Sequence, residues 1–273
     1  MLQKNYTSRR AHLFMIIQIY EIQTPWEAEK CLELGVDHLG SVILSPQHCQ
    51  DQEIRTLIRI THEAGKKNSL IFLFDNEDTL YKAIDYYQPD IIHFCESLTD
   101  HRGIPIDPEP LVERQERIKR RFPELTIMRS IPIAPTGRSP VVPSLSIARS
   151  FEAVSDMFLT DTWLGHEPVG GYIGITGRTL DWDVAARLVE QTHLPVILAG
   201  GLSPENVFEA IVKVKPAGAD SCTRTNQLNR HGKPIRFKKD FKRVREFVQE
   251  VRRAEAVLGR GPQSAHIEKP GDH

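Results

Sequence analysis

Short runs of apolar residues, many of them β-branched, alternate with longer amphipathic stretches along nearly the whole chain. Continuous apolar runs of about 4–8 residues are typical of parallel strands that are buried on both faces. The sequence therefore predicts eight strands, each followed by a helical stretch. The predicted strands cover residues 14–20, 38–44, 69–74, 90–95, 126–133, 157–160, 195–199 and 219–223.

Capping residues mark where several of the helices begin. Thr24 stands before Pro25, and Ser203 before Pro204, the combination of an N-cap and a first helical position. Asp75 or Asn76 is predicted to cap the third helix. The other predicted helices cover residues 25–34, 51–64, 109–121, 144–153, 181–192, 203–213 and 237–257.

Eight strand–helix units within about 250 residues predict the α/β class and a single-domain (β/α)8 or TIM barrel. An open, doubly wound sheet is the alternative. The barrel is predicted to occupy residues 13–258, after a flexible arm at 1–12. Residues 259–273 are rich in Gly, Pro and charge, which predicts a disordered tail. In such a barrel, chemistry belongs on the loops after the strands, and phosphate usually binds after strands 7 and 8.

Composition and charge exclude several classes of function. The 273 residues carry a net charge of -1, which gives no field for nucleic acid, and no apolar run approaches the length of a membrane span. The apolar stretch 13–20 has no cleavage site of small residues behind it, so a cytoplasmic protein is expected. Four cysteines without CxxC spacing, and histidines without HxH or HExxH spacing, predict neither a disulfide framework nor a metal site.

Two glycine-rich segments follow predicted strands 6 and 7. Gly200 and Gly201 separate strand 7 from a capped helix, where a backbone without side chains can approach an anion closely. They are predicted to bind phosphate; the alternative is an ordinary tight turn. Gly174 and Gly177 lie in the connection after strand 6, which is predicted to close over a ligand; a flexible connection is the alternative.

Three segments resemble phosphoribosylanthranilate isomerases in sequence, order and spacing. They are Phe-Leu-Thr-Asp-Thr at 158–162, Gly-x-Thr-Gly-Arg-Thr-x-Asp-Trp at 174–182 and Leu-Ala-Gly-Gly-Leu-Ser-Pro-Glu-Asn-Val at 198–207. The resemblance extends over residues 14 to 250. It implies a (β/α)8 barrel that performs an Amadori rearrangement in tryptophan biosynthesis on a phosphorylated small molecule, without metal or organic cofactor. One acid opens the ribose ring and one base removes the proton at C2.

The resemblance places the general acid at Asp161. A carboxyl group at the end of a strand, screened by a closing loop, can have its pKa raised enough to hold a proton at neutral pH. A cap of a loop or helix is the alternative role. Gly174, Thr176 and Gly177 of that loop are the predicted substrate contacts.

The family's cysteine base is replaced here by Tyr20. A phenol is poorly ionised at neutral pH, so Tyr20 is a candidate base or a hydrogen-bond donor. Glu21 and His93 are the other candidate bases, although neighbouring strand residues point to opposite faces and His93 can equally fill the core.

Substrate binding shows further departures. Gln47 stands where the family has an arginine that resembles a clamp for the anthranilate carboxylate, and Arg129 on strand 5 is a second candidate contact, with an interior salt bridge as the alternative. Thr223 and Arg224 replace part of a Ser-Ser-Gly phosphate cradle, and Arg224 adds charge.

The predicted function is a phosphoribosylanthranilate isomerase-like enzyme that acts by general acid/base chemistry on that compound or another phosphorylated sugar derivative. A related lyase is also possible on these residues. A non-catalytic protein that binds a phosphorylated ligand or a partner is the alternative from another class. The chain is expected to be a monomer or a homodimer.

Overall fold

The computed structural model describes residues 14–138 and 142–259. Within them, eight parallel strands form a closed barrel in the order β1 to β8, and β1 pairs with both β2 and β8. The predicted (β/α)8 barrel is thus confirmed, and the open sheet is wrong because β1 and β8 are hydrogen-bonded along Ile16–Ile19. The strands are Ile16–Ile19, His38–Ile43, Lys67–Phe72, Ile91–Phe94, Thr126–Ile133, Met157–Thr162, Val196–Leu198 and Gly218–Ser221.

Each strand is followed by a helix. The helices α1 to α8 are Pro25–Glu33, Gln52–Glu63, Glu77–Tyr87, Glu109–Arg121, Ser144–Phe151, Trp182–Gln191, Val207–Val214 and Phe241–Val257. Thr24 forms a capping box with Glu27, as the Thr-Pro pair indicates, and Asn76 rather than Asp75 caps α3. None of these helices within the described residues is long and apolar enough to cross a membrane. The predicted arm and residues 260–273 of the predicted tail lie outside the described residues.

Two helix starts differ from the prediction. Helix α7 begins at Val207 because residues 203–206 form a turn, in which the Ser203 amide donates to Asn206 Oδ1 at 2.9 Å. Helix α8 begins at Phe241, capped by the Asp240 carboxylate, because the residues before it form a strand.

A two-stranded antiparallel hairpin between β8 and α8 is an addition to the eight units. Its strands are β9, Asn226–Leu228, and β10, Pro234–Lys239. The buried Lys239 ammonium donates to the Cys222 carbonyl at 2.8 Å and to Asn226 Oδ1 at 2.5 Å. These bonds hold the hairpin against the carboxyl end of β8.

Apolar side chains fill the barrel below its carboxyl end. Ile91, Met128, Met157, Leu159 and Ile197 form this inner cluster, while the outer faces of the strands pack on the helices. The carboxyl end itself carries polar side chains and opens to a cavity.

Candidate active site

A cavity of about 750 Å³, including its open mouth, lies at the carboxyl end of the barrel. Its size is that of small-molecule sites. The structure brings most of the predicted site residues to it. Those lining the cavity are Tyr20, Glu21, His93, Asp161, Thr176, Gly177, Gly200, Gly201, Thr223 and Arg224.

Asp161 has the environment that a general acid requires. Its half-buried carboxyl lies at the end of β6, where Oδ1 accepts a hydrogen bond from the Thr162 amide at 2.9 Å. Burial, aided by the charge of Glu167, raises the pKa of Asp161 to about 7. Gly174 of the β6–α6 loop lies so close that a Cβ there would be 2.2 Å from Oδ2. The carboxyl group is therefore covered by the loop and keeps its proton to a higher pH than an exposed aspartate does.

The loop over the acid has an unusual backbone. Gly174 and Gly177 adopt φ values of +103° and +62°, which glycine permits because it has no side chain. The β-branched Ile175 also lies in the left-handed region, with a φ of +60°. Thr176 Oγ1 accepts from the Arg178 amide at 3.2 Å. Strain of this kind persists where the surroundings fix the conformation, and it is concentrated at functional sites.

Asp220 is a second carboxyl group in the cavity that the sequence analysis missed. It is 6% exposed on β8 and accepts a hydrogen bond from Gln18 Nε2 at 3.2 Å. Burial raises the pKa of Asp220 to about 7, and the negative charge of Asp161 contributes. The available signal was an acidic residue inside the otherwise small and apolar strand 218–221. Two such carboxyl groups in one cavity can hold one proton between them at neutral pH.

Tyr20 lies in the inner cluster of the barrel and also lines the cavity. Its hydroxyl hydrogen-bonds to Ser69 Oγ at 2.6 Å and His93 Nδ1 at 2.8 Å. Burial raises the pKa of Tyr20 well above its usual value, so the phenol stays neutral. The ring covers Gly40, where a Cβ would lie 2.2 Å from the Tyr20 Cδ1 atom.

Both ring nitrogens of His93 form hydrogen bonds inside the barrel. While Nδ1 contacts Tyr20, Nε2 hydrogen-bonds to Ser130 Oγ at 2.8 Å. Burial, with a smaller contribution from the charge of Arg129, lowers the pKa of His93 to about 3. The imidazole is therefore neutral, and both of its nitrogens already have partners.

Glu21 faces the hairpin. Its Oε1 accepts from Arg236 Nε at 2.7 Å, and its Oε2 from Asn226 Nδ2 at 2.8 Å and the Phe237 amide at 3.1 Å. Burial alone would raise the pKa of Glu21, but the bonds from Arg236 and Asn226 and the charge of Lys239 outweigh it and lower the pKa. Glu21 is thus an ionised anchor for the hairpin whose oxygens are occupied.

Gln47 and Arg129 do not reach the cavity. Gln47 is exposed in the turn Pro46–His48, and Arg129 points from β5 toward the helices. The buried Arg129 guanidinium donates to Gln115 Oε1 and pairs with Glu96, both at 2.7 Å, which is the interior salt bridge of the alternative interpretation. Neither side chain is placed to bind substrate.

The two glycines after β7 allow close packing of neighbouring loops. Gly200 and Gly201 have φ values of +89° and +63°. A Cβ on Gly201 would lie 2.4 Å from the Arg178 carbonyl carbon, and one on Gly200 would lie 2.5 Å from Thr162 Oγ1. The loop after β6 therefore rests directly on the loop after β7.

Backbone amides and one arginine converge beside these loops. Arg224 Nε donates to the Gly177 carbonyl at 2.9 Å and lines the cavity. Among the described residues, none accepts a hydrogen bond from the backbone amides of Gly200, Gly201, Thr223 or Arg224. Backbone amides without an acceptor and a guanidinium are the groups with which proteins bind anions. In the described part of the chain, no three His, Cys, Asp or Glu side chains cluster as a metal site requires.

Comparison with known proteins agrees with this geometry. The profile of the family described as N-(5'phosphoribosyl)anthranilate (PRA) isomerase matches residues 123–250. An N-(5'-phosphoribosyl)anthranilate isomerase of Methanocella arvoryzae is 36% identical over 239 residues, which cover 86% of this chain and 97% of that protein.

Two solved structures share the fold. Phosphoribosylanthranilate isomerase from Thermotoga maritima has a TM-score of 0.62 at 19% identity, over 87% of this chain and 98% of that one. A phosphoribosylanthranilate isomerase in complex with reduced 1-(o-carboxyphenylamino)-1-deoxyribulose 5-phosphate has a TM-score of 0.61 at 17% identity, over 87% and 98% of the two chains. The fold and the full-length similarity show that this chain belongs to the phosphoribosylanthranilate isomerase family.

Proposed function

We propose that this protein isomerises N-(5'-phosphoribosyl)anthranilate, a step of tryptophan biosynthesis, with Asp161 as the general acid and Asp220 as the general base. The carrying observation is that two carboxyl groups, each with its pKa raised to about 7, line one cavity together with Arg224 and loops whose backbone amides have no acceptor among the described residues. Family membership supports the reaction. The pairing of acid and base is proposed from this chain's own residues, since Tyr20, His93 and Glu21 all have other partners.

In this mechanism the phosphate binds to the amides of Gly200, Gly201, Thr223 and Arg224. Asp161 donates its proton to the ribose ring oxygen, so the bond from C1 to that oxygen breaks and a protonated imine forms at C1. The Asp220 carboxylate then removes the proton from C2, and the electron pair of that bond neutralises the imine to give an enamine. This enamine carries the hydroxyl group on C2 and is therefore also an enol, which tautomerises to the ketone of the ribulose product.

The alternative of a non-catalytic ligand-binding protein receives no support from the comparisons. Raising the pKa of two carboxyl groups by burial costs stability, and arrangements of this kind cluster where protons are transferred. Asp161 is moreover covered by a loop with strained backbone.

Turnover of freshly generated phosphoribosylanthranilate, followed by the decay of its fluorescence, tests the proposal. Replacement of Asp161 or Asp220 by Asn is expected to lower kcat by about 10²–10⁴-fold, the usual contribution of a positioned proton donor or acceptor. Asp78→Asn, on the exposed start of α3, is the control and should not change kcat. Absence of decay with the folded wild-type protein would contradict the proposed reaction, and full activity of Asp220→Asn would remove Asp220 as the base.

A further inference from the structure

We infer that Arg236, on the added hairpin, binds a carboxylate of the substrate. The inference rests on the proposed function for the identity of the substrate.

The guanidinium of Arg236 is only partly satisfied by the protein. Arg236 lines the cavity, and its Nε is bonded to Glu21 at 2.7 Å. Its Nη2 is buried and has no hydrogen-bond acceptor among the described residues. A buried donor without a partner is costly, and the cost is recovered when a ligand oxygen accepts the bond.

The guanidinium is also held in place before any ligand arrives. Glu21, after β1, accepts a hydrogen bond from the amide of Phe237 in β10, and both residues adopt left-handed backbone conformations, with φ values of +64° and +59°. Asn226 bonds to Glu21 on one side and to the buried Lys239 on the other, at 2.8 and 2.5 Å. Two cations therefore face one carboxylate, which leaves an excess of positive charge at this rim.

The position of Arg236 defines the class of ligand. The amides proposed for the phosphate belong to the loops after β7 and β8, and Arg236 is bonded to Glu21 after β1, the strand that lies between β8 and β2. Val42, Ile71 and Leu73 line the cavity from the neighbouring strands β2 and β3 or their ends. A phosphorylated sugar that carries an aromatic ring with a carboxylate has a partner for the loop amides, for the apolar lining and for Arg236. Arginine is the side chain suited to such a carboxylate because its planar fork offers parallel donors.

Equilibrium binding of two unreactive ligands tests the inference without depending on turnover. The first is reduced 1-(o-carboxyphenylamino)-1-deoxyribulose 5-phosphate, and the second is the same compound without the ring carboxylate. Arg236→Lys keeps the positive charge beside Glu21 but removes the fork, so it preserves the anchor of the hairpin. Arg230→Gln, at an exposed position of the same hairpin, is the control for net charge.

The wild-type protein is expected to bind the carboxylated ligand more tightly than the compound without the ring carboxylate. Arg236→Lys is expected to weaken binding of the carboxylated ligand about tenfold or more and to leave binding of the other ligand unchanged. Equal weakening of both ligands would assign Arg236 to the phosphate and overturn the inference, as would unchanged binding of both or failure of the wild type to discriminate between them. If the wild-type protein prefers the carboxylated ligand, loses this preference in Arg236→Lys and yet does not turn over phosphoribosylanthranilate, the proposed function is refuted and the inference stands.

Discussion

At the scale of single residues, Asp161 couples function to stability. Its pKa rises from 3.8 to about 7 in the folded protein, so the folded state holds a proton that the unfolded chain releases above pH 3.8. The stabilising contribution of this group is therefore present below pH 3.8 and is lost as the pH rises through 7. A carboxyl group whose pKa is raised for catalysis thus weakens the fold at the pH at which it works.

Asp161→Asn is accordingly expected to increase the free energy of unfolding at pH 8, by up to about 4 kcal/mol for a shift of about three pKa units. Near pH 4 the two proteins should differ little. Urea unfolding at both pH values measures the effect, and Asp78→Asn should show no such pH dependence. A difference between Asp161→Asn and wild type that is the same at pH 4 and pH 8 would contradict the assigned pKa.

Residue roles could be predicted from the sequence only where the place in the strand defined the surroundings. Asp161 is the penultimate residue of β6, and the resemblance to the family had indicated its position at the mouth of the barrel. Arg129 lies one residue before Ser130, and only the register of β5 decides which of the two faces the interior. Tyr20 could not be excluded as a base either, because its pKa depends on contacts with β3 and β4 that no local pattern shows.

At the scale of elements, the glycines of the β6–α6 loop differ in whether the fold needs them. A methyl group at Gly174 would collide with the Asp161 carboxyl, and φ there is +103°. Gly170 in the same loop is exposed, and a methyl group on it would meet no atom within 4 Å. The same substitution at the two glycines therefore separates closure over the acid from general loop flexibility.

Gly174→Ala is expected to destabilise the protein by about 1–3 kcal/mol and to lower kcat/KM at least about tenfold. Gly170→Ala should change neither. Urea unfolding and the fluorescence assay measure both variants. Equal effects at the two positions would show that the contact with Asp161 is not what requires glycine.

The helices were predictable because they have amphipathic faces and five of the eight begin at a side-chain cap, whereas the hairpin was not. Its strands are short, and Leu228 and Ile235 remain exposed, so no apolar pattern distinguishes it from a loop. It is stabilised by Lys239 at the end of β10 and by Glu21 after β1, which is distant from the hairpin in the sequence. The extension of α8 back to residue 237 was wrong for the same reason.

At the scale of the whole molecule, the count of strand–helix units was sufficient to predict a closed barrel, because few other folds accommodate eight units of this length. Closure brings β1 beside β8 and so places Gln18 against Asp220, 202 residues apart. Asp220 was missed because this contact exists only in the closed barrel.

The closed barrel is expected to be stabilised by inorganic phosphate, which binds the folded state and not the unfolded chain. At about 100 times its Kd, phosphate should raise Tm by about 5–10 °C. Thermal unfolding in phosphate and in sodium chloride of equal ionic strength measures the effect, and Arg224→Gln should reduce it. An equal rise in sodium chloride would count against a specific anion site.

The contact between Tyr20 and Gly40 also constrains the order in which this barrel can change. A larger residue at position 40 is excluded while the tyrosine ring lies on it, and a smaller residue at position 20 leaves Ser69 and His93 without their hydroxyl partner. The two positions therefore form an epistatic pair. A change of Tyr20 to a small residue such as cysteine is therefore expected to give a less stable protein until a larger residue at position 40 fills the space.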